Sequence, residues 1–249
     1  MENSIILGDC LEVMLEIPSS SVDMILCDLP YGTTACKWDT LIPLGELWAQ
    51  YRRVIKPHGA IVLTAAQPFT GVLVSSNLAQ FRHSWVWDKK AAANVMQAKH
   101  APMKIHEDVI VFSIKKAAYY PNMVPGKPRM KGGHKRKNGV YGEQEAHVGV
   151  FSDTYYPKSI IQFSNAVHTG KIHPTQKPVD LFEYLIKTYT NPDDLVLDNA
   201  SGSGTTAIAA IRTGRRFICI EKDPIHHEKS VQRLAAELKG VACVNFRRM

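Results

Sequence analysis

Several features are scarce in this chain, and each absence removes a class of function. No apolar run approaches the roughly 18 residues that a membrane-spanning helix requires. The opening Met1-Glu2-Asn3-Ser4 has none of the charged and apolar regions of a signal peptide. Five cysteines, at positions 10, 27, 36, 219 and 243, make no Cys-x-x-Cys pair and no metal-ligand spacing. Cys27 and Cys219 sit inside apolar, strand-like runs, which suits reduced, buried thiols in a cytoplasmic protein. No membrane partner and no metal site are therefore expected. No internal repeat and no low-complexity tract occur. Acid is missing altogether between Val109 and Gly142.

What is present begins with a length of 249 residues, enough for one large α/β domain or two small ones. The net charge of +7 suits a polyanionic partner without requiring one. One stretch stands out, Val22-Asp23-Met24-Ile25-Leu26-Cys27-Asp28-Leu29-Pro30-Tyr31-Gly32. Its first half is an apolar run of the length of a buried strand. Pro30, with a fixed φ and no N–H, stops that strand. An acid, a restrained carbonyl at Leu29 or Pro30 and a phenol ring are thus presented at a strand's carboxyl end. Ligands bind at that end in open α/β sheets. A planar group with an exocyclic amine could hydrogen-bond to Asp28 and stack on Tyr31. Stacking needs the ring and not the hydroxyl, so Tyr31→Phe should be mild.

Around that stretch, strand and helix patterns alternate. Strands are expected at 4–7, 22–28, 60–64, 84–87 and 108–114, and helices at 10–17, 44–55 and 69–79. Lys56-Pro57-His58-Gly59 should end the second helix, and His106-Glu107 reads as a strand-entry turn. Alternation of this kind gives a mostly parallel sheet with helices on both faces. From 115 to 171 the character changes. Lys127, Arg129, Lys131, Lys135, Arg136 and Lys137 are interleaved with glycine, proline and tyrosine, a composition that rules out long regular elements. A connection this long is uncommon in a compact domain unless it is functional. Basic residues mixed with aromatics suit phosphate neutralisation and base contact.

The carboxyl third predicts a helix at 179–189, a strand from 194, a glycine loop, a helix through 211, a strand at 215–220 and a helix at 226–238. Gly202, Gly204 and Ala207 satisfy G-x-G-x-x-G/A, and Glu221 follows at the distance of a ribose-binding acid. Only 28 residues follow Glu221. The nucleotide-binding half must therefore be completed by strands from the amino terminus. That order is hard to reconcile with a dehydrogenase.

Three segments together resemble the amino-directed DNA methyltransferases that use S-adenosylmethionine, in the order of their permuted β group. Asp28-Leu29-Pro30-Tyr31 is similar to the catalytic D/N/S-P-P-Y/F/W motif. Asp198-Asn199-Ala200-Ser201-Gly202-Ser203-Gly204-Thr205-Thr206 is similar to the D-P-F-x-G-S/T-G cofactor motif. His173-Pro174-Thr175-Gln176-Lys177-Pro178 resembles the segment that precedes it. Leu29 stands where the family has its first proline, and Asn199 and Ala200 replace Pro and Phe.

The resemblance implies a Rossmann-like sheet built from a catalytic half (1–114), a target-recognition region (115–171) and a cofactor half (172–249). It implies catalytic roles for Asp28, Pro30 and Tyr31. S-adenosylmethionine would be held by Asp9, Thr175, Lys177, Asp198, Ala200, Gly202, Ser203, Gly204, Thr205 and Glu221. Asp9 would meet the adenine, Glu221 the ribose, the loop amides the methionine end, and Thr175 and Lys177 the carboxylate. Double-stranded DNA is the implied partner, with a flipped adenine methylated at N6. Cysteine attack on ring carbon 5 would need a Pro-Cys dipeptide, which the chain lacks. Methylation of cytosine N4, of RNA or of a protein amide, and an inactive DNA-binding homologue, remain as alternatives. The chain could act alone or as a homodimer.

Overall fold

The computed structural model describes residues 2–32, 36, 39–132, 136–138, 142–144, 148–165 and 176–246; the side chains of 136–138, 142–144 and 240–246 are outside the description. The chain forms two compact units, one from 1–120 with 159–249 and one from 121–158.

The larger unit carries strands β1 (Ser4–Leu7), β2 (Val22–Asp28), β3 (Ile55–Ala65), β4 (Phe81–Ala93) and β5 (Lys104–Phe112) from the amino-terminal half. The smaller unit holds β6 (Val124–Lys131), β7 (Arg136–Asn138), β8 (Gly142–Gln144) and β9 (Val150–Tyr155). The larger unit resumes with β10 (Ile160–Gln162), β11 (Leu195–Asp198) and β12 (Arg216–Glu221). Its helices are α1 (Cys10–Met14), α2 (Leu44–Val54), α3 (Phe69–Ser76), α4 (Val179–Tyr189), α5 (Thr205–Arg212) and α6 (Pro224–Phe246).

Eight strands make one sheet in the order β1-β12-β11-β2-β3-β5-β4-β10. Every pairing in it is parallel except β3 with β5 and β5 with β4, so β5 alone runs against the rest. The expected mostly parallel sheet is present. It is closed from both ends of the chain, because β1 pairs with β12 and β11 pairs with β2.

Strand residues alternate between two cores, as the two-residue period of a strand dictates. Ile25, Cys27, Ile61, Leu63, Ile110 and Phe112 face Met14, Leu47, Trp48, Tyr51, Phe69 and Leu73 of α1, α2 and α3. Their neighbours Met24, Leu26, Val62, Val109 and Val111 face Leu181, Phe182, Leu185, Ala207 and Ala210 of α4 and α5. A sheet covered on both faces needs apolar side chains at successive positions, which explains the unbroken run Met24–Cys27.

Three expected boundaries are corrected. Lys56-Pro57-His58-Gly59 does not end a helix but belongs to β3, where it bulges between the pairs Val22↔Ile55 and Met24↔Ala60. A Cβ at Gly59 would lie 2.7 Å from the Asp23 carbonyl oxygen, so only glycine fits there. His106-Glu107 is no entry turn; it lies inside β5, with Glu107 opposite Trp87. The region 115–171 is not one irregular insert. Residues 115–120 and 159–165 stay with the larger unit, where β10 extends the sheet beside β4.

The smaller unit is built on a β6–β9 ribbon with a second, short β7–β8 pair. Arg129 and Lys131 both lie over the Tyr155 ring, at 4.6 and 4.0 Å from its centroid. The Lys131 ammonium also donates to the Thr154 carbonyl. Lys127 is exposed.

Candidate active site

Asp28 is the last residue of β2, and the strand stops there because Pro30 follows. Its Oδ1 accepts from the Tyr31 hydroxyl at 2.8 Å and from the Thr64 hydroxyl of the neighbouring β3. Its Oδ2 accepts from the Lys177 ammonium at 2.7 Å. Burial and the adjacent Asp28 charge push the Tyr31 phenol well up, so it stays protonated and donates. One face of the Tyr31 ring stacks on Phe69, with centroids 5.2 Å apart. The expectation that only the ring matters is therefore revised, because the hydroxyl is part of the carboxylate's setting.

The glycine loop occupies the end of the adjacent strand β11. Gly202 and Gly204 have φ of +50° and +72°, conformations that side chains rarely adopt. Around them the loop is tied at each end. Glu221 at the end of β12 accepts from the Gly202 amide at 2.7 Å and from the Asp223 amide at 2.8 Å. Arg233 of α6 donates to the Ser203 carbonyl at 2.9 Å and to the Thr205 hydroxyl at 3.1 Å. Nothing in the sequence marks Arg233, which sits among other charged residues of a long amphipathic helix. Tyr51 of α2 donates to the Asn199 side-chain oxygen at 2.5 Å. The residue that replaces the usual proline is thus itself held.

Asp198 faces inward. It accepts from the Ala200 amide at 3.1 Å and from the Thr206 hydroxyl. Burial pushes its carboxyl up to about 7, against the opposing pull of those hydrogen bonds. It therefore holds the loop's shape from beneath.

Both strand ends open into one cleft of about 880 Å³. Asp28, Pro30 and Tyr31 line it together with Asp9, Lys177, Asp198, Ala200, Gly202, Ser203, Thr205 and Glu221. Gly204 caps α5 just behind the lining. Asp9 caps α1 through the Leu11 amide and pairs with Lys222 at 2.9 Å. Lys177, a candidate for the cofactor's carboxylate, lines the cleft with its ammonium on Asp28 and Glu107 at 3.4 Å. Thr175 lies outside the described residues, as does Lys135, and Arg136 and Lys137 are described in backbone only. Lys127, Arg129 and Lys131 belong to the smaller unit. Among the described residues no group of acidic, histidine and cysteine side chains could hold a metal ion, and no helix is long and apolar enough to cross a membrane.

A glycine loop bordered by the Glu221 carboxylate thus shares one cleft with a strand-end aspartate and a tyrosine. The chain belongs to the N6/N4 DNA methylases: the family model described as DNA methylase matches residues 22–232. It is 30% identical over 246 residues to the DNA adenine methyltransferase YhdJ of Escherichia coli K12, spanning 93% of this chain and 82% of that protein. It is 24% identical to the type II methyltransferase M.HpaI of Haemophilus parainfluenzae, spanning 99% of this chain and 79% of that protein. Among solved structures, the M1.HpyAVI–SAM complex matches with a TM-score of 0.64 at 24% identity, covering 93% of this chain and 99% of that one. The cytosine-N4-specific PvuII DNA methyltransferase matches at 0.68 and 20% identity, covering 92% and 84%. These two establish the shared fold.

Two outcomes follow from the geometry. Tyr31→Phe removes one of the hydroxyls that hold the Asp28 carboxylate. Methyl transfer should fall roughly tenfold or more, as loss of a hydrogen bond to a charged group implies; activity within twofold of the parent would mean that the Thr64 hydroxyl suffices. Asp198 has a folded-state pKa raised from 3.8 to about 7. Its contribution to stability is full below the unfolded value and is lost as pH rises through the folded one. The melting temperature should therefore decline across about pH 4 to 7 through this group, and Asp198→Asn should flatten that part of the profile. Parallel profiles for the two proteins would place the origin elsewhere.

Proposed function

We propose that this chain transfers the methyl group of S-adenosylmethionine to N6 of an adenine flipped out of duplex DNA. The observation that carries the reading is that the Asp28 carboxylate lines the same cleft as the glycine loop. The cofactor fits the residues present. Among the described residues the Ser201 hydroxyl, buried at the cleft, has no hydrogen-bond partner, and a Cβ at Gly202 would meet nothing within 4 Å. Open space above the loop and an unmatched hydroxyl are what a bound nucleoside with an amino-acid tail would use. Asp9 and Glu221 would hold the adenosine, and Gly202, Ser203, Gly204, Thr205 and Ala200 the methionine end. When bound, S-adenosylmethionine supplies a methyl group activated by a sulfonium.

The chain's own residues act on the target amine. An exocyclic amine is a poor nucleophile, because its lone pair is delocalised into the ring. Asp28 accepts one N–H, and the carbonyl of Leu29 or Pro30 accepts the other. The nitrogen then becomes pyramidal, with its lone pair turned toward the methyl. After transfer the nitrogen carries a surplus proton, which Asp28 is placed to receive. Tyr31, backed by Phe69, offers its remaining face to the flipped base. Positioning does the work, with no covalent enzyme intermediate.

The choice of adenine rests on the resemblance of an Asp-opened motif to adenine enzymes, since Ser openings are typical of cytosine N4. Asp is also the stronger, charged acceptor. A relative at 30% identity is named an adenine methyltransferase. The unit at 121–158 supplies duplex contacts through Lys127, Arg129 and Lys131, and through Lys135, Arg136 and Lys137 beyond the described side chains.

The test is to express the chain in a methylation-free host, digest the DNA to nucleosides and analyse them by mass spectrometry. N6-methyladenine is expected, absent with Asp28→Ala, whose cofactor affinity by calorimetry should stay near that of the parent. N4-methylcytosine alone would overturn the base and keep the mechanism; an active Asp28→Ala would overturn the mechanism. For DNA binding, joint replacement of Lys127 and Arg129 by alanine should lower the slope of log K against log salt by about 1.8, two phosphate contacts' worth. Lys131, whose ammonium is spent on the Thr154 carbonyl, should contribute less. An unchanged slope for the double variant would remove those two residues from the DNA surface.

A further inference from the structure

A row of four alternating charges leads into the cleft, which Glu107, Lys177 and Asp28 line. The Lys89 ammonium lies 3.1 Å from Glu107 Oε1, Glu107 Oε2 lies 3.4 Å from the Lys177 ammonium, and that ammonium lies 2.7 Å from Asp28 Oδ2. The four come from β4, β5, the segment before α4 and β2. Lys89, Glu107 and Lys177 have side chains 9%, 14% and 8% exposed, against 23% for Asp28. Such a row has no net charge, and burial strengthens each of its pairings. Surface ion pairs are seldom worth much, whereas breaking a buried one strands its partner.

We infer that Glu107 is a positioning residue for methyl transfer: it holds the Lys177 ammonium, which in turn holds the Asp28 carboxylate in the orientation that receives the target amine. The inference rests on the reading of Asp28 as the amine's acceptor. A carboxylate offers about four acceptor positions. The hydroxyls of Tyr31 and Thr64 use two on Oδ1, and Lys177 uses one on Oδ2. One position on Oδ2 remains for the target N–H. It stays open only while the ammonium beside it is held to its own side, and the second carboxylate does that. Without Glu107, Asp28 is the one anion left beside the ammonium among the described residues, and the ammonium is free to cover the position that the substrate needs.

The same geometry has a titration signature. Facing the Lys177 ammonium are Asp28, Glu107 and, at 5.7 Å, the Tyr31 ring, with Lys89 beyond Glu107. Burial opposes the charge on Lys177, but Asp28 and Glu107 outweigh it and hold its pKa above the ordinary lysine value. Burial likewise opposes the Glu107 charge, and Lys177 and Lys89 outweigh it and hold its pKa below the ordinary value. Removing Glu107 takes one of two supporting charges from Lys177.

The test uses the full chain, unmethylated genomic DNA and isotopically labelled S-adenosylmethionine. Glu107→Gln should lower kcat by about a hundredfold, the cost of misplacing a reacting group by an ångström. Cofactor affinity by calorimetry should stay within about twofold, and the alkaline limb of the kcat profile should move to lower pH, since one of the two charges that raise the Lys177 pKa is gone. Glu107→Asp should recover part of both effects. An unchanged kcat, or a lower kcat with no displacement of the alkaline limb, would overturn the inference. If Glu107→Gln does not fold, Lys89→Met decides. Glu107 then has Lys177 as its only ammonium, so kcat should fall less and the limb should stay or rise; a lowered limb would overturn the inference. An active Asp28→Ala would instead sink the reading of Asp28 on which this one rests. Wild-type behaviour of Glu107→Gln beside a dead Asp28→Ala would sink only the role of Glu107.

Discussion

The pairing of β2 with β11 is the contact on which the site depends. Only two registered positions define it, Val196 with Met24 and Leu197 with Ile25. It joins segments from opposite ends of the chain and sets their carboxyl ends side by side. From there each strand breaks for its own reason, β2 at Pro30 and β11 at a loop whose glycines have positive φ. A parallel sheet buried on both faces specifies that register firmly, since a one-residue slip would exchange the Met24 and Ile25 faces.

Two aspartates stand at these neighbouring strand ends, and their surroundings divide the labour between them. Asp198 is met by an amide and a hydroxyl, with no ion pair among the described residues, so burial favours its neutral form. It serves the loop above it. Asp28 is met by two hydroxyls and an ammonium while still lining the cleft. The same side chain is turned into the loop's support in one place and toward the cleft in the other.

Much of this was legible from residue order alone. The alternation of apolar runs and helical periods marked the sheet, which the pairing of β1 with β12 and of β2 with β11 completes. Asp28, Tyr31, Glu221 and the loop glycines all line or border one cleft. What was not legible depends on contacts between distant elements. Glu107 was hidden because a strand entry and a strand interior look alike when the flanking residues are polar. Lys56-Pro57-His58-Gly59 has every local mark of a helix stop, yet tertiary pairing carries β3 through it as a bulge. The motif sets Lys177 at the cleft, but that its ammonium sits between two carboxylates from different strands was not legible. Arg233 carries no local signal, since its partners are a carbonyl and two hydroxyls on a loop that precedes it by a full strand and helix.

The position of β1 at the sheet's edge has a consequence for synthesis. Among the described residues its one partner strand is β12, which leaves the ribosome some two hundred residues later. Until then β1 has no ladder to join, and α1, which follows it, packs in a core that also includes β12 residues Ile218 and Ile220. Pairing over so long a separation is slow, because the closure of a long loop must precede any gain from contact. Strand β2 can meet β3 early, but the glycine loop has no complete sheet beneath it until β12 is made. A nascent chain therefore carries the Asp28 carboxylate long before the far wall of its cleft exists.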